Sequence, residues 1–222
     1  IVDRNPVALA KKPRVRSTRR DFTFLTVEEV GKVIDAYPLD HLTRLVRVVV
    51  LTAAMTGLRQ GELIALRWKD IDFDGAQLNV RASISRGVAG TPKSAGSIRT
   101  VPLAQRVALS LEEHWKRTSY GADSDLVFCH PHTGNPYDPS KMRERFYDAM
   151  GRAGLGAKVG LNGGGITFHS LRHTFGTHVA SAGAPLVAIK EWMGHADIQT
   201  TMIYAKWSND RSMEERIFKN AF

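Results

Sequence analysis

Cysteine and long apolar runs are almost absent from this sequence of 222 residues. Cys129 is its single cysteine, which excludes an internal disulfide framework and a zinc site built from thiolates, and we expect it to be a small buried residue. The sequence has no run of about 18 apolar residues, so no membrane-spanning helix is predicted. The N-terminus lacks a signal-peptide pattern. We therefore expect a cytoplasmic location. The start at Ile1 instead of Met predicts that a natural N-terminal part precedes this chain.

Acidic residues are also scarce in comparison with basic ones. The chain has 31 Lys and Arg against 22 Asp and Glu, which gives a formal net charge of +9. Because 43% of the residues are hydrophobic, the chain can bury an ordinary core, and the excess charge belongs to a folded protein. A basic globular chain favours a polyanionic partner, most commonly a nucleic acid. The alternative is a basic protein without such a partner.

Residues 1–25 are predicted to form a basic linker, since they contain two prolines and no sustained period. Six cations of this segment are candidate DNA contacts: Lys11, Lys12, Arg14, Arg16, Arg19 and Arg20. The segment could be a strap that crosses a phosphate backbone or a solvated tether, and the sequence favours neither.

From Thr26 onward the pattern is mainly helical. Thr26 and Glu29 form a capping box at the start of a first helix, and Gly57 can end the next helix in the left-handed conformation. Asp74-Gly75 between alternating segments predicts a hairpin, and "SIRTVPL" predicts a third strand. The predicted fold class is α+β, a mainly helical domain with a small three-stranded antiparallel sheet. Later helices are predicted near residues 104–117, 139–153, 169–182, 185–193 and 197–206.

The stretch "HSLRHTFGTH" carries three of the eight histidines of the chain. On a helix that turns by about 100° per residue, His169, Arg172 and His173 share one face. Gly176 also lies on that face and would let another backbone or DNA approach closely. His178 lies elsewhere, so the three histidines are not expected to converge. A cationic face with an exposed arginine suits a phosphate or another oxyanion.

A metal site at His169 and His173 is the alternative, since histidines four residues apart can share a zinc ion. The glutamate of an H-E-x-x-H motif is replaced by Ser170. No cysteine supplies a third ligand, and the charge of Arg172 would oppose a cation. We therefore predict that these residues bind no metal.

Three other stretches place polar residues at special positions. In "TGLRQGE", Glu62 lies one turn after Arg59 and can hold its guanidinium, or form only a weak surface pair. In "TPKSAGS", Lys93 lies in a turn between strands, as an idle surface cation or as a proton donor. In "WMGHADIQTTMIYAK", His195 follows a helix stop, and Tyr204 lies on a short helix where core packing is the usual role. Together, in a basic chain, they indicate a phosphodiester transfer site without a metal.

The ordered set "TGLRQGE", "TPKS", "HSLRHTFGTH" and "MGHADIQTTMIYAK" resembles the catalytic domain of the tyrosine recombinases, the phage-type integrase family. The resemblance covers roughly residues 20–210. It implies a catalytic domain at 26–210, after a linker that would follow a core-binding domain. The remaining residues 211–222 have an apolar helical stripe, and we expect this tail to dock on a neighbouring protomer, with folding back on its own domain as the alternative.

The resemblance also implies a role for each matching residue. Tyr204 would be the nucleophile, Arg59 and Arg172 would clamp the scissile phosphate, and Lys93 would be the general acid. His169 would take the position of the general base or of a second hydrogen-bonding group. The remaining matches are His195, at a position of His or Trp in the family, and the supporting residues Glu62 and His173.

The implied reaction joins the phenol to a DNA 3′-phosphate and releases a 5′-hydroxyl, which can later reseal the strand without ATP, cofactor or metal. The resemblance implies double-stranded DNA as partner, a homo-oligomer (a tetramer) on it, accessory DNA-bending or directionality proteins, and association with the nucleoid. The alternatives are a type IB topoisomerase-like strand transferase, a metal-dependent nuclease and a non-catalytic DNA-binding module. The "GH" before the tyrosine favours a recombinase, of a mobile element or of a chromosome-dimer resolving system.

Overall fold

In the computed structural model of the protein, the described residues are 22–38, 40–85, 88–90, 98–160 and 164–208. The helices are α1 Val27–Asp35, α2 His41–Thr56, α3 Gln60–Ala65, α4 Gln105–Trp115, α5 Pro139–Arg152, α6 Ser170–Ser181, α7 Leu186–Met193 and α8 Ile198–Thr201. The strands are β1 Ile71–Asp72, β2 Gln77–Val80, β3 Ser83–Ser85, β4 Val88–Gly90 and β5 Arg99–Pro102. Short 3-10 helices lie at Trp68–Asp70, Gly156–Lys158 and Met202–Trp207. The predicted α+β class is confirmed.

Helix α2 is the centre of the helical part. Asp40 caps its first turn by accepting two backbone N–H bonds, and Gly57 ends it with φ of 66°. Val46 and Val49 are fully buried, and α1, α4, α5 and α6 all contact this helix. The capping box predicted for α1 is present, with Thr26 Oγ1 accepting from Glu29 N at 3.2 Å. Local sequence signals therefore set both ends of the segment that α6 packs against.

The predicted three-stranded antiparallel sheet is also confirmed, with strand order β1-β2-β5. Leu78 pairs with Val101 and Val80 with Arg99. All four side chains are buried, while Thr100 between them is exposed, as expected for a strand with one face on the core. Arg99 is thus an arginine on the apolar face of the sheet. The β3 and β4 strands form a separate hairpin that the sequence interpretation missed.

The hairpin predicted at Asp74-Gly75 is present between β1 and β2. Four residues, 73–76, connect the strands, and Ala76 has the positive φ of 48°. Asp72, the last residue of β1, holds the turn because its carboxylate accepts the Gly75 N–H at 2.8 Å. A Cβ at Gly75 would lie 2.3 Å from that carboxylate. A side chain at this position would therefore require the Asp72 carboxylate to shift.

The last predicted helix, 197–206, is shorter than expected. Helix α8 ends at Thr201, and the chain continues in a 3-10 winding over Met202–Trp207. Tighter 3-10 turns are common at the ends of α-helices. The other four late helices begin and end within two residues of the predicted positions. Among the described helices, none combines the length and the apolar character that crossing a membrane requires.

Candidate active site

Two of the predicted site residues, Arg59 and Arg172, meet at the C-terminal end of α7. Arg59 Nη2 donates to Gly194 O at 3.0 Å. Arg172 Nη2 donates to the preceding carbonyl, that of Met193, and its Nη1 donates to Gly57 O at 2.5 Å. The last carbonyls of a helix have no partner within the helix and carry the negative end of its dipole, so they suit cations.

A third arginine, Arg99, joins this end of α7. Its Nε donates to Trp192 O at 2.6 Å, and its two terminal nitrogens bind both oxygens of Glu62 at 3.0 and 2.8 Å. The same carboxylate accepts from Arg59 Nη1 at 2.9 Å and from Arg59 N at 2.8 Å. We call Arg59, Arg99 and Arg172 the arginine cluster. The predicted contact between Glu62 and Arg59 is confirmed, within a larger network.

Burial differs among these groups. The side chain of Arg59 is 42% exposed, whereas Glu62 and Arg99 are each 5% exposed. Burial raises the pKa of Glu62, but the hydrogen bonds and charge of Arg99 more than offset this, so the pKa is lowered and the carboxylate is ionised at neutral pH. Arg59 is therefore the member of the cluster that an incoming anion can reach most directly.

Arg172 was expected to be exposed, and this expectation is wrong. It is 4% exposed and lies between the C-terminal ends of α2 and α7, where its guanidinium donates to Gly57 O and Met193 O. Burial and the nearby charge of Arg59 lower its pKa to about 9, which leaves the guanidinium charged at neutral pH. Two backbone carbonyls replace the water that this cation gives up on burial.

Tyr204 lies against His173, the residue that follows Arg172 in α6. It is 1% exposed, and its hydroxyl is 3.0 Å from His173 Nδ1. Its ring covers Gly176, where a Cβ would lie 2.5 Å from the Tyr204 Cζ. Gly176 was expected to admit another backbone or DNA, and this is wrong, because the Tyr204 ring occupies the space above it. Burial raises the pKa of Tyr204 to about 12, and the charge of Arg172 offsets only part of that rise.

Phe22, at the start of the described residues, packs on both His173 and Tyr204. Its ring stacks on His173 with centroids 4.5 Å apart, and it meets the Tyr204 ring edge-on at 5.4 Å and the Trp207 ring at 5.1 Å. We call Phe22, His173, Gly176, Tyr204 and Trp207 the tyrosine layer. The nucleophile predicted from the sequence is thus enclosed, and the ring nitrogen beside its hydroxyl is Nδ1 of His173.

The two other candidate histidines flank these groups. His169 lies at the surface at the start of α6, with its ring 5.4 Å from that of His173. Partial loss of hydration, with the charges of Arg172 and Arg59, lowers its pKa. His195 follows the α7 end, and its Nδ1 lies 2.9 Å from Thr201 Oγ1.

The pKa values of His173 and His195 are both lowered to about 4, first by burial and then by neighbouring positive groups. Both rings are therefore neutral at pH 7 and can accept a proton. His178 turns away, as predicted, and bonds to Leu25 O at 2.8 Å. Among the described residues, no three His, Cys, Asp or Glu side chains are grouped so that they could hold a metal ion.

Some predicted residues lie outside the described part of the chain. They are Lys93, the basic residues Lys11, Lys12, Arg14, Arg16, Arg19 and Arg20, and the tail 211–222. Their assigned roles stay predictions.

Two residues of the site were missed by the sequence interpretation. Arg99 could have been found, because the alternation in "SIRTVPL" places it on the same face as Val101, and a buried arginine needs polar partners that replace its lost water. Phe22 was placed in the linker, yet it packs on His173, and Leu25 is fully buried with its N–H on Thr174 Oγ1. No local pattern gives that contact.

The model of the phage integrase family matches residues 23–211 of this chain. The tyrosine recombinase XerA of Pyrococcus furiosus is 33% identical over 183 residues, which are 82% of this chain and 56% of that protein. A XerC-like tyrosine recombinase of Caldanaerobacter subterraneus is 30% identical over 198 residues, which are 78% of this chain and 47% of that protein. The chain thus spans about half the length of the curated relatives it matches.

Solved structures show the same fold. A crystal structure of XerA recombinase matches with a TM-score of 0.66 and 27% identity, over 94% of this chain and 67% of the other. The Tn1549 transposon integrase in complex with transposon right end DNA matches with a TM-score of 0.70 and 22% identity, over 90% and 66% of the two chains. Since the family match extends over most of the sequence, the chain belongs to the phage integrase family.

Proposed function

We propose that this chain is the catalytic part of a site-specific DNA recombinase that cleaves and rejoins strands through a covalent 3′-phosphotyrosine intermediate, without ATP or a metal ion. The observation that carries the proposal is the pair Arg59 and Arg172, fixed on adjacent carbonyls of one helix end. Relatives named as tyrosine recombinases, and an integrase of the same fold solved with DNA, support double-stranded DNA as the substrate.

In the proposed reaction, the Tyr204 oxygen attacks the scissile phosphorus and its proton passes to a neutral histidine. The ring in contact with the hydroxyl is that of His173, and His169 is the second candidate for this proton or for a hydrogen bond to the phosphate. The bond from phosphorus to the 5′ oxygen breaks, and the leaving oxygen takes a proton from Lys93. A second 5′-hydroxyl then reverses these steps and frees the tyrosine.

Arg59 and Arg172 would stabilise the charge that develops on the nonbridging oxygens. Planar guanidiniums match that geometry, and one such donor is commonly worth about 10²–10³ in rate. His195 beside the α7 end would add a further hydrogen bond to the phosphate. Glu62 would support Arg59.

The proposed partners extend beyond the described residues. The basic residues of the 1–25 linker would cross the phosphate backbone, and the 211–222 tail would dock on a neighbouring protomer of a tetramer on DNA. Accessory DNA-bending or directionality proteins and a location on the nucleoid belong to the same proposal.

Lys93→Ala should be rescued by DNA with a bridging sulfur at the scissile 5′ position, because a thiolate leaves without a proton. Equal defects on the oxygen and sulfur substrates would refute the Lys93 assignment.

The test is to trap the covalent intermediate. A pool of nicked duplexes of random sequence, in which the cleaved end diffuses away, is incubated with the chain, and denaturant-resistant adducts are mapped by mass spectrometry. We expect one adduct, on Tyr204, that forms equally well in EDTA.

Two variants serve as controls. Tyr204→Phe should bind DNA without forming an adduct, whereas Tyr147→Phe, at a half-buried tyrosine of α5, should form it as the wild type does. An adduct in Tyr204→Phe, or on another residue, would refute the assignment, and strong inhibition by EDTA would favour a metal-dependent nuclease. Relaxation of supercoiled plasmid without strand exchange would instead favour a type IB topoisomerase-like activity.

A further inference from the structure

Arg99 is a buried cation that the proposed reaction does not use directly. It comes from β5, 37 residues along the chain from Glu62, and both side chains are 5% exposed. All three of its donor nitrogens are bound, two to Glu62 and one to Trp192 O. Because the side chain is also 5% exposed, it is not placed to hold a substrate.

The charge balance shows what Arg99 changes. Glu62 contacts two guanidiniums, those of Arg59 and Arg99. Without Arg99, the full negative charge of the carboxylate would fall on Arg59, the exposed guanidinium at this site. With Arg99 bound through both oxygens, the carboxylate is neutralised from its buried side, and the positive charge of Arg59 stays available to an anion. A bidentate contact between arginine and carboxylate is also the geometry that best fixes the rotamers of both groups.

Stability alone is a weak reason for such a pair. Taking two charges out of water costs about as much as their attraction returns, and apolar residues of similar volume often serve as well. The Nε bond to Trp192 O adds a second effect, because the next two carbonyls of the same helix end hold Arg172 and Arg59. Arg99 thus contacts both supports of Arg59, the carboxylate and the helix end.

We propose that Arg99 is a positioning residue of the active site, which neutralises Glu62 and thereby leaves Arg59 oriented and charged for the scissile phosphate. This inference rests on the proposed function. It extends that function to a residue that touches no substrate.

The experiment compares adduct formation by folded variants on nicked DNA. Rates are measured at saturating DNA, at a temperature where calorimetry shows each variant fully folded. Arg99→Met should slow adduct formation by about 10²-fold, the loss that a small displacement of a reacting group can cause, and should change DNA affinity little. Arg99→Lys keeps the charge and should lose less than Arg99→Met.

The double variant Arg99→Met with Glu62→Gln separates positioning from folding. Removing the carboxylate charge should restore the rate to within about tenfold of the wild type, since Arg59 is no longer neutralised. Arg47→Met is the matched control, because Arg47 Nε also donates to a backbone carbonyl, Ile34 O at 3.1 Å. We expect the wild-type rate for this control.

The outcomes decide between the explanations. A folded Arg99→Met with the wild-type rate, or a double variant as slow as the single one, would overturn the inference while leaving the proposed function intact. If Arg99→Met does not fold, the double variant decides alone, by recovery to within about tenfold of wild type or by a loss of about 10²-fold. A wild type without any adduct would refute the proposed function, and the inference with it.

Discussion

Arg172 and His173, consecutive residues of α6, belong to two regions of the site that differ in charge and exposure. Arg172 belongs to the arginine cluster, where every guanidinium is held by backbone carbonyls or by Glu62 and where Arg59 remains 42% exposed. His173 belongs to the tyrosine layer, where Tyr204 is 1% exposed, bound to a neutral ring and shifted to a pKa of about 12.

The arginine cluster is thus assembled in advance, whereas the proposed nucleophile, Tyr204, is neutral and covered. A phenol with a pKa near 12 is almost entirely protonated at pH 7. Phosphate binding would therefore need no rearrangement of the arginine cluster, whereas attack by Tyr204 would need the tyrosine layer to open. The two regions should respond differently to substitution.

Removal of Arg172 should have the largest effect. We expect Arg172→Met to slow adduct formation by about 10²–10³-fold in single-turnover assays on folded protein, because a preformed donor to the phosphate is lost. The carbonyls of Gly57 and Met193 would also lose a partner, so urea unfolding should show a loss of about 1–3 kcal/mol. Arg152→Met, at an exposed arginine that donates to Ala36 O, is the control. A wild-type rate in Arg172→Met would mean that the cluster does not bind the reacting phosphate.

The second-largest effect is expected in the pH dependence of the free energy of unfolding. The folded-state pKa values of His173 and His195 are lowered to about 4, so both stay neutral at pH 5, while the same residues in the unfolded chain take up protons below about 6.5. Stability is therefore fully present above about pH 6.5 and is lost as the pH falls towards 4. From pH 7 to pH 5 we expect a loss of about 2 kcal/mol for each ring.

Urea unfolding at the two pH values measures this loss. His173→Asn and His195→Asn should each remove about 2 kcal/mol of this loss, and His132→Gln, at an exposed histidine, is the control. Equal pH dependence in all four proteins would show that the two rings are not held neutral by the fold.

Gly176→Ala should disturb the tyrosine layer and spare the arginine cluster. The new Cβ would lie 2.5–2.8 Å from three atoms of the Tyr204 ring, which must move, at a cost of about 1–3 kcal/mol in the free energy of unfolding. The displaced phenol should titrate closer to pH 10 in an ultraviolet titration, with Tyr204→Phe identifying its signal. Gly151→Ala is the control, because nothing lies within 4 Å of that position on α5. An unchanged phenol titration in Gly176→Ala would contradict this packing.

The smallest effect is expected for Phe22→Ala. Loss of its stacking on His173 should cost about 1 kcal/mol, and easier hydration should move the pKa of that ring up from about 4 when followed by NMR. Phe24→Ala removes a neighbouring ring that contacts His178 and Trp207. It should leave His173 unchanged, and a shift of equal size in both variants would mean that the N-terminal segment acts only through general stability.

The parts of the site that rest on local patterns could be predicted from the sequence, as the C-terminal end of α2 at Gly57 and the pair Arg59 and Glu62 show. The angular positions on α6 were also correct. A helical projection cannot say which neighbour covers a face, however, and for that reason Arg172 was expected at the surface and the space over Gly176 was left open for DNA. Arg99 and Phe22 depend on contacts between distant parts of the chain, and only Arg99 left a local signal.

The end of α7 has a consequence for how this chain can change in length. Three successive carbonyls there each accept from a different arginine, and Gly194 ends the helix with φ of 61°. Insertion or deletion of one residue inside α7 would rotate that end by about 100° and shift it by about 1.5 Å, so all three acceptors would be misdirected at once. Surface loops of the same chain, such as residues 130–136, carry no such constraint. Natural length variation should therefore accumulate in those loops and be absent from the eight residues of α7.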